Sequence, residues 1–374
     1  MSVLRVFAYN VGFGDAILVE VPDRASGKES TRHILIDVGN VLTAVDAEVF
    51  RPVAEDILGR LGGKPVDLYV MSHEHLDHVR GMLTIDRMGL TIPVDYAWLT
   101  ASANPRYGDT YPRAQRRKRL LIEEYRRVAA LAEARGLTAS ASVRAFVENN
   151  DPNRTADCVA FLGRMARKKR SWVHRGLHIR PGIHHPFREA TLRIWAPEAD
   201  TSTYYGRYRP LTATGSGGRF PRRPDGVDLP AYRALTQQLR AGLGTSMLAI
   251  DKAANNTSVV FSLEWRGWRL LFPGDAEERS WQVMTARRRL PDVHLLKVGH
   301  HGSHNGTPPP EILDALLPVD PPDGRRRVAL LSTWPDTYPG VPDEATLARL
   351  RHRATVISTR SKPLGEPVVV SFDG

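Results

Sequence analysis

The sequence predicts an α/β protein in which two strand-rich halves flank a largely helical, basic insertion. Three observations predict it. Short apolar runs rich in β-branched residues recur before residue 100 and again after residue 190, each of strand length. Between them, 101–189 is arginine-rich and follows helical rather than strand spacing. Acidic or histidine residues stand at the ends of several apolar runs, as they do when a site is assembled from distant segments on one edge of a sheet.

In the first half, 1–100, strands are expected on both sides of Asn10-Val11-Gly12-Phe13-Gly14-Asp15, whose glycines suit a tight turn. The polar segment Pro22 to Thr31 reads as a hairpin loop, and His33 to Asn40 as a third strand. Ala47 to Leu61 has helical spacing and stops at Gly62-Gly63. Val66 to Met71 is a buried strand, a helix starts near His78, and Val94 to Leu99 is a strand.

Within the insertion, Arg113 to Arg135 predicts a long helix. Leu121, Tyr125, Val128 and Ala132 share one face, and Arg116, Arg117, Lys118, Arg119, Arg126 and Arg127 lie opposite. A second basic helix is expected from about Thr155, with Arg164, Arg167, Lys168, Lys169 and Arg170 near its end. The second half, 190–374, resumes with a strand at Thr191 to Trp195. Residues 200–227 read as a loop and 229–241 as a helix. A hairpin turns about Arg266-Gly267, a helix follows from Glu277 to Arg289, and a strand from Val293 leads into Gly299-His300-His301-Gly302-Ser303-His304. A strand (Val328 to Leu331), a helix (Asp343 to Arg351) and two more strands end the chain.

The chemistry concentrates in His73-Glu74-His75-Leu76-Asp77-His78. A surface turn has no structural need of three imidazoles and a carboxylate, whereas a metal centre uses them as ligands. His73 and His75 are two apart and point to one side in extended backbone. Asp77 and His78 come after the chain turns and can face a second position, about 3.5–4 Å from the first metal. With Cys158 the sole cysteine, neither a disulfide framework nor a cysteine-based zinc site is available.

The order of Asp37, H-x-H-x-D-H, Gly274-Asp275 and the late His300-His301 resembles the metallo-β-lactamase superfamily. Asn10 to Ile17, Asn256-Thr257-Ser258 and Lys297 to Ser303 are similar to elements of the hydrolase domain of ComEC, the DNA-uptake competence protein. The resemblance covers 1–100 and about 190–374. It implies a four-layer αββα sandwich and one or two divalent ions, Zn²⁺ or Mn²⁺. By that likeness His73 and His75 hold one metal, and Asp77, His78 and one of His300 or His301 the other, with Asp275 bridging. Metal-activated water is the expected nucleophile. Asp77 is expected to orient it, and the spare histidine of the pair, or His304, to donate a proton. Asp37 is expected to fix a ligand histidine, and Asn256 stands close to where many members carry a further histidine. The chain departs from the pattern at Asn10 and Phe13, where aspartate and glutamine are usual, and near Val341, where a histidine is usual.

A charge of +11, from 52 Lys and Arg against 41 acidic residues, favours polyanionic partners. The leading expectation is a metal-dependent phosphodiesterase or nuclease on a nucleic acid or other phosphodiester, with Tyr107, Tyr111, Trp172, Tyr204, Tyr205 and Tyr208 available to stack on bases. The alternatives are hydrolysis of a small ester, lactone, thioester or β-lactam, and a non-catalytic, metal-stabilised module that binds nucleic acid or protein. No apolar run is long enough for a membrane span, and the N-terminus reads as a strand rather than a signal peptide. A cytoplasmic protein is expected. His33, His174, His178, His294 and His352 read as structural or surface residues, His184-His185 as an ordinary loop pair rather than one that reaches the site from the insertion, and Thr214 to Gly218 as a plain loop.

Overall fold

Alternating burial along the central strands puts one face of each sheet in a shared inner layer and the other under helices. The computed structural model describes residues 2–25, 27–41, 46–205, 251–287, 290–335, 337–338 and 340–374. The expected loop Thr214 to Gly218, the expected helix 229–241 and Tyr208 lie outside these residues.

The first sheet has seven strands in the order β13-β1-β2-β3-β4-β5-β6. They are β1 (Val3–Tyr9), β2 (Ala16–Ala25), β3 (Lys28–Val38), β4 (Val66–Val70), β5 (Val94–Thr100), β6 (Ala166–Val173) and β13 (Pro367–Asp373). The second sheet has six, in the order β12-β11-β10-β9-β8-β7. They are β7 (Ala190–Ala196), β8 (Val260–Trp265), β9 (Trp268–Phe272), β10 (Leu295–Lys297), β11 (Val328–Leu331) and β12 (Thr355–Ser358). Both sheets are mixed, with antiparallel pairs such as β1·β2 and β7·β8 and parallel pairs such as β3·β4 and β10·β11.

The period of two explains the layers. Val6, Ile17, Val19, Ile34 and Ile36 of the first sheet meet Phe261, Leu263, Leu270 and Leu330 of the second in one core. The opposite side of the first sheet (Phe7, Leu18, Leu35, Tyr69) packs on α1 (Asp46–Leu61), α2 (Leu76–Arg87) and α6 (Pro152–Met165). The opposite side of the second sheet (Val260, Leu271, Leu296, Leu331) packs on α7 (Glu278–Arg287), α8 (Pro310–Leu316) and α9 (Glu344–Arg351). The result is a helix–sheet–sheet–helix arrangement.

The insertion contributes α3 (Tyr107–Thr110), α4 (Pro112–Ala134), α5 (Ala141–Asn149) and α6. The α4 face of Leu121, Tyr125, Val128 and Ala132 is buried, and Arg116, Arg119, Arg126 and Arg127 are exposed. Two expectations differ from the structure. The second basic helix stops at Met165, and Arg167 to Arg170 belong to β6, paired parallel to β5. As the outer strand of its sheet, β6 carries the charges that discourage a further strand from pairing. Pro22 to Thr31 is not a loop: β2 and β3 continue their pairing through Ala25↔Lys28, where Arg32 binds the buried Asp23.

Candidate metal centre

Strand ends place the chemical residues. β4 runs out into Ser72-His73-Glu74-His75, and α2 begins at Leu76 with Asp77 and His78 in its first turn. The His75 carbonyl accepts the His78 and Val79 amides, so the histidine loop and the helix form one rigid turn. The helix N-terminus also favours the Asp77 carboxylate. Asn149, at the end of α5, accepts the Asp77 amide at 2.9 Å, so the insertion takes part in holding the turn. Gly14 and Gly39 lie against the Asp77–His78 peptide. A Cβ on Gly39 would come within 2.2 Å of the Asp77 carbonyl carbon, and one on Gly14 within 2.7 Å of its oxygen.

Asp77, His78, Asp275 and His301 form one buried group whose donor atoms lie within 4.8 Å of one another. His78 Nε2 is 3.2 Å from Asp275 Oδ2 and 3.8 Å from Asp77 Oδ1. His301 Nε2 is 3.2 Å from Asp77 Oδ2 and 3.5 Å from Asp275 Oδ2. Both rings are oriented from behind. Asp37 takes the His78 Nδ1 proton at 2.9 Å, and the Ser332 carbonyl takes that of His301 at 3.0 Å. With Nδ1 so engaged, each Nε2 points toward carboxylates, and its lone pair becomes available to a cation once the nitrogen is deprotonated. His78 Nε2 and Asp77 Oδ1 have no hydrogen-bond partner. Lone pairs that converge in a buried space suit a cation, and this donor set fits Zn²⁺ or Mn²⁺.

His73, His75 and Asp77 form a second group that shares Asp77 with the first. His73 Nε2 and His75 Nδ1 are 3.0 Å apart. Its support is thinner: Ser72 Oγ touches His73 Nδ1 at 3.0 Å, and the buried His75 Nε2 has no hydrogen-bond partner. Asp251 Oδ1, 3.8 Å away, is the carboxylate nearest that nitrogen among the described residues.

Protonation separates the two groups. Burial opposes charge on His78, but the Asp275, Asp77 and Asp37 carboxylates outweigh it and raise its pKa well above the ordinary value. His73 goes the other way, lowered by burial and by its neighbours His78 and His75. Burial works against ionisation of Asp275, yet His78, His301 and Lys297 hold its carboxyl well below the usual range. Burial raises Asp37.

Two further groups of potential ligands already have occupants. Asp15, Asp37 and His78 come together, but Lys297 Nζ binds Asp15 and stands 3.8 Å from Asp275 Oδ1. Asp251, Glu277 and His300 surround the amide nitrogen of Asn255, which donates to Asp251 at 3.1 Å and to Glu277 at 2.9 Å.

This settles the positions of several expected residues. His301 faces the Asp77–Asp275 group, while His300 turns to Asp251 and Glu277, 3.7 and 3.6 Å away. Both have positive φ, 48° and 52°, as does Asp37 at 49°. Non-glycine residues adopt that region at a cost of about 1–3 kcal/mol each, and such strain gathers at functional sites. His304 is not in the centre: its side chain is 56% exposed and lies 3.9 Å from Asp343, because Gly302 carries the chain outward after His301. Asn256 does not face the metal ligands either. Its amide donates to the Lys252 carbonyl and accepts from the Ser280 amide, tying the start of β8 to α7.

The departures at Phe13 and Val341 meet in one apolar cluster with Val41, Ala145, Trp334 and Tyr338. The centroid of the Phe13 ring lies 4.2 Å from that of the His301 ring, so the two are packed together. Of the aromatics expected to stack on bases, Tyr107, Tyr204 and Tyr205 are buried, with hydroxyls bonded to Thr201, Glu198 and Thr201; Trp172 and Tyr111 are partly exposed. His185 packs between Trp98 and Phe187, far in function from the centre. Sequence reading gave no role to Asp15, Asn149, Asp251, Glu277 or Lys297. Asp15 and Lys297 do sit inside the two motifs that carry the resemblance, which was their available signal.

No protein-family model matches the chain, and no curated protein sequence matches it.

Proposed function

We propose that the chain is a metal-dependent hydrolase of metallo-β-lactamase type that cleaves phosphodiesters. One observation carries the reading: Asp77 is shared by two buried ligand groups, His73–His75–Asp77 and Asp77–His78–Asp275–His301. A carboxylate common to adjacent sites is how two cations are held close enough to act on one substrate oxygen. The layered architecture and the placing of every group at a strand or helix end support the same reading.

His73 and His75 would hold one ion, and His78, Asp275 and His301 the other, with Asp77, rather than the expected Asp275, common to the two groups. Bound ions supply Lewis acidity and lower the pKa of water. The chain's own residues do the rest. Asp37 and the Ser332 carbonyl fix the His78 and His301 tautomers. Lys297 offsets the charge of the crowded carboxylates from behind. Arg164 of α6 and Arg170 of β6, exposed in the cleft that adjoins His75, would supply phosphate contacts.

The test is metal content together with turnover on a panel of a phosphodiester chromogen, single- and double-stranded DNA, RNA, a lactone and a β-lactam. We expect bound Zn²⁺ or Mn²⁺ and phosphodiester cleavage that the double variant H75A/D77A lacks. Folded protein without metal would sink the reading. A small-ester substrate is the second reading, favoured by the mainly apolar walls of the cleft beside His75; turnover confined to lactone or β-lactam would establish it.

A further inference from the structure

The cleft beside the centre is built almost wholly by the insertion. It encloses about 520 Å³ between α4, α6 and β6, and Glu74 and His75 form part of its wall. Small-molecule sites span about 300–1,000 Å³, so the cleft is sized for one compact group. His75 belongs both to this wall and to the ligand pair with His73, which makes the cleft continuous with the metal centre.

Its lining has three parts. Leu121, Ile122 and Val159 give an apolar floor. Trp172, partly exposed, lies under the Arg170 guanidinium at 5.1 Å, and both side chains line the space. Arg164 and Arg170 are exposed cations with no carboxylate partner among the described residues. Lys118 is different. It is committed to Glu74 at 2.6 Å and to the Ser102 carbonyl at 3.0 Å, and so fixes the wall next to His75.

Resting on the phosphodiesterase reading above, we infer that this cleft seats one nucleoside flanking the scissile phosphate, its base stacked at Trp172 and Arg170. Stacking on an aromatic face is tolerant of base identity and contributes about 1–3 kcal/mol per base. Arg170 also donates to the Gly163 carbonyl, so what a neutral aliphatic ester would fail to supply is an anionic partner for the two guanidinium groups. A nucleotide satisfies both parts of the lining.

The experiment compares thymidine 5′-(p-nitrophenyl phosphate) with methyl p-nitrophenyl phosphate on the metal-loaded full chain. The leaving group is the same, so only the flanking group differs. A preference in kcat/KM of about 10-fold or more for the nucleoside ester, expressed mainly in KM, is expected from the loss of one stacked base. Trp172→Ala should bring the ratio toward one and Trp172→Phe should keep most of it. Because Trp172 also packs on the core, Ala160→Trp provides a second route: Ala160 is an exposed position on α6 that lines the cleft, and a bulky side chain there fills it. A wild-type ratio near one, or a ratio untouched by Ala160→Trp, overturns the assignment.

Adenosine monophosphate binding, followed by calorimetry, separates this failure from that of the hydrolase reading. Binding that Ala160→Trp abolishes, without any phosphodiester turnover, upholds the cleft and sinks the hydrolase. Turnover without nucleoside preference does the reverse. Comparing a thymidine dinucleotide with a 12-mer then tells a free nucleotide substrate from a strand end.

Discussion

The two halves of the candidate centre are adjacent and share Asp77, yet they are held very differently. On one side His78 leans on Asp37, His301 on the Ser332 carbonyl, and Asp275 accepts the His300 amide at 3.1 Å. On the other, His73 and His75 lean on each other and on Ser72, and one buried nitrogen of His75 has no hydrogen-bond partner. Partners that orient a ligand raise its affinity for metal by about 10–100-fold. If the proposed centre holds two ions, the difference predicts their order: the His78 side should bind first and tightest, and the His73 side should fill at higher metal concentration.

The most severe break of this ordering is at the shared residue. Asp77→Ala removes a ligand from both halves, and turnover should fall on the order of 10³-fold or more, as it does when members of one catalytic unit are removed. His73→Ala touches only the weaker half. It should lower metal content by one ion per chain, with the other ion retained after dialysis. Elemental analysis of the two variants separates them; loss of both ions in His73→Ala would mean that the halves are not independent.

Asp37→Ala tests the stronger half without removing a ligand. Freed from the carboxylate, His78 loses the partner that presents its Nε2. We expect metal affinity to fall about 10–100-fold, with Asp37→Asn recovering part of it. Competition against a chromogenic chelator measures this. An unchanged affinity would show that packing alone orients the ring.

Protonation sharpens the comparison further. The raised pKa of His78 keeps it charged at neutral pH in the metal-free protein, paired with Asp275, Asp77 and Asp37. That pairing stabilises the fold fully below the ordinary histidine pKa and is lost as pH rises through the raised one. A cation must displace this proton, whereas His73, whose pKa is depressed, is already neutral. Metal uptake by His73→Ala protein, which keeps the His78 half, should release about one proton per ion. Calorimetry in two buffers of different ionisation enthalpy counts it, and a count near zero would contradict the charged His78.

How much of this is legible in the sequence follows from how local each relation is. His73, His75, Asp77 and His78 lie within six residues, and their spacing in extended backbone and then a helical turn already sets their directions. His300 and His301 are adjacent and chemically identical, and only the tertiary structure shows that the His301 side chain reaches Asp275 while His300 turns to Asp251 and Glu277. Asp251 and Asn149 meet the centre through tertiary packing alone, so no window of sequence shows them together with its ligands. The strands were readable as short apolar runs, whereas their stacking into layers was implied only by the resemblance. β6 was not readable, because a run of Arg and Lys after a helix has no apolar alternation, and its exposed edge position removes the need for one.

The smallest expected effect lies outside both halves. His304 shares the late histidine motif but is more than half exposed, and Asp343 is its nearest charged partner among the described residues. A proton donor must come within about 2.6–3.2 Å of the reacting group, directly or through one water. His304 faces away from the groups that would hold a substrate. His304→Ala should therefore leave metal content intact and change kcat/KM by less than about two-fold, within the roughly ±0.5 kcal/mol usual for surface substitutions. A larger drop in kcat, confined to the alkaline or acid limb of the pH profile, would bring His304 into the reaction and require the segment after Gly302 to fold inward when substrate binds.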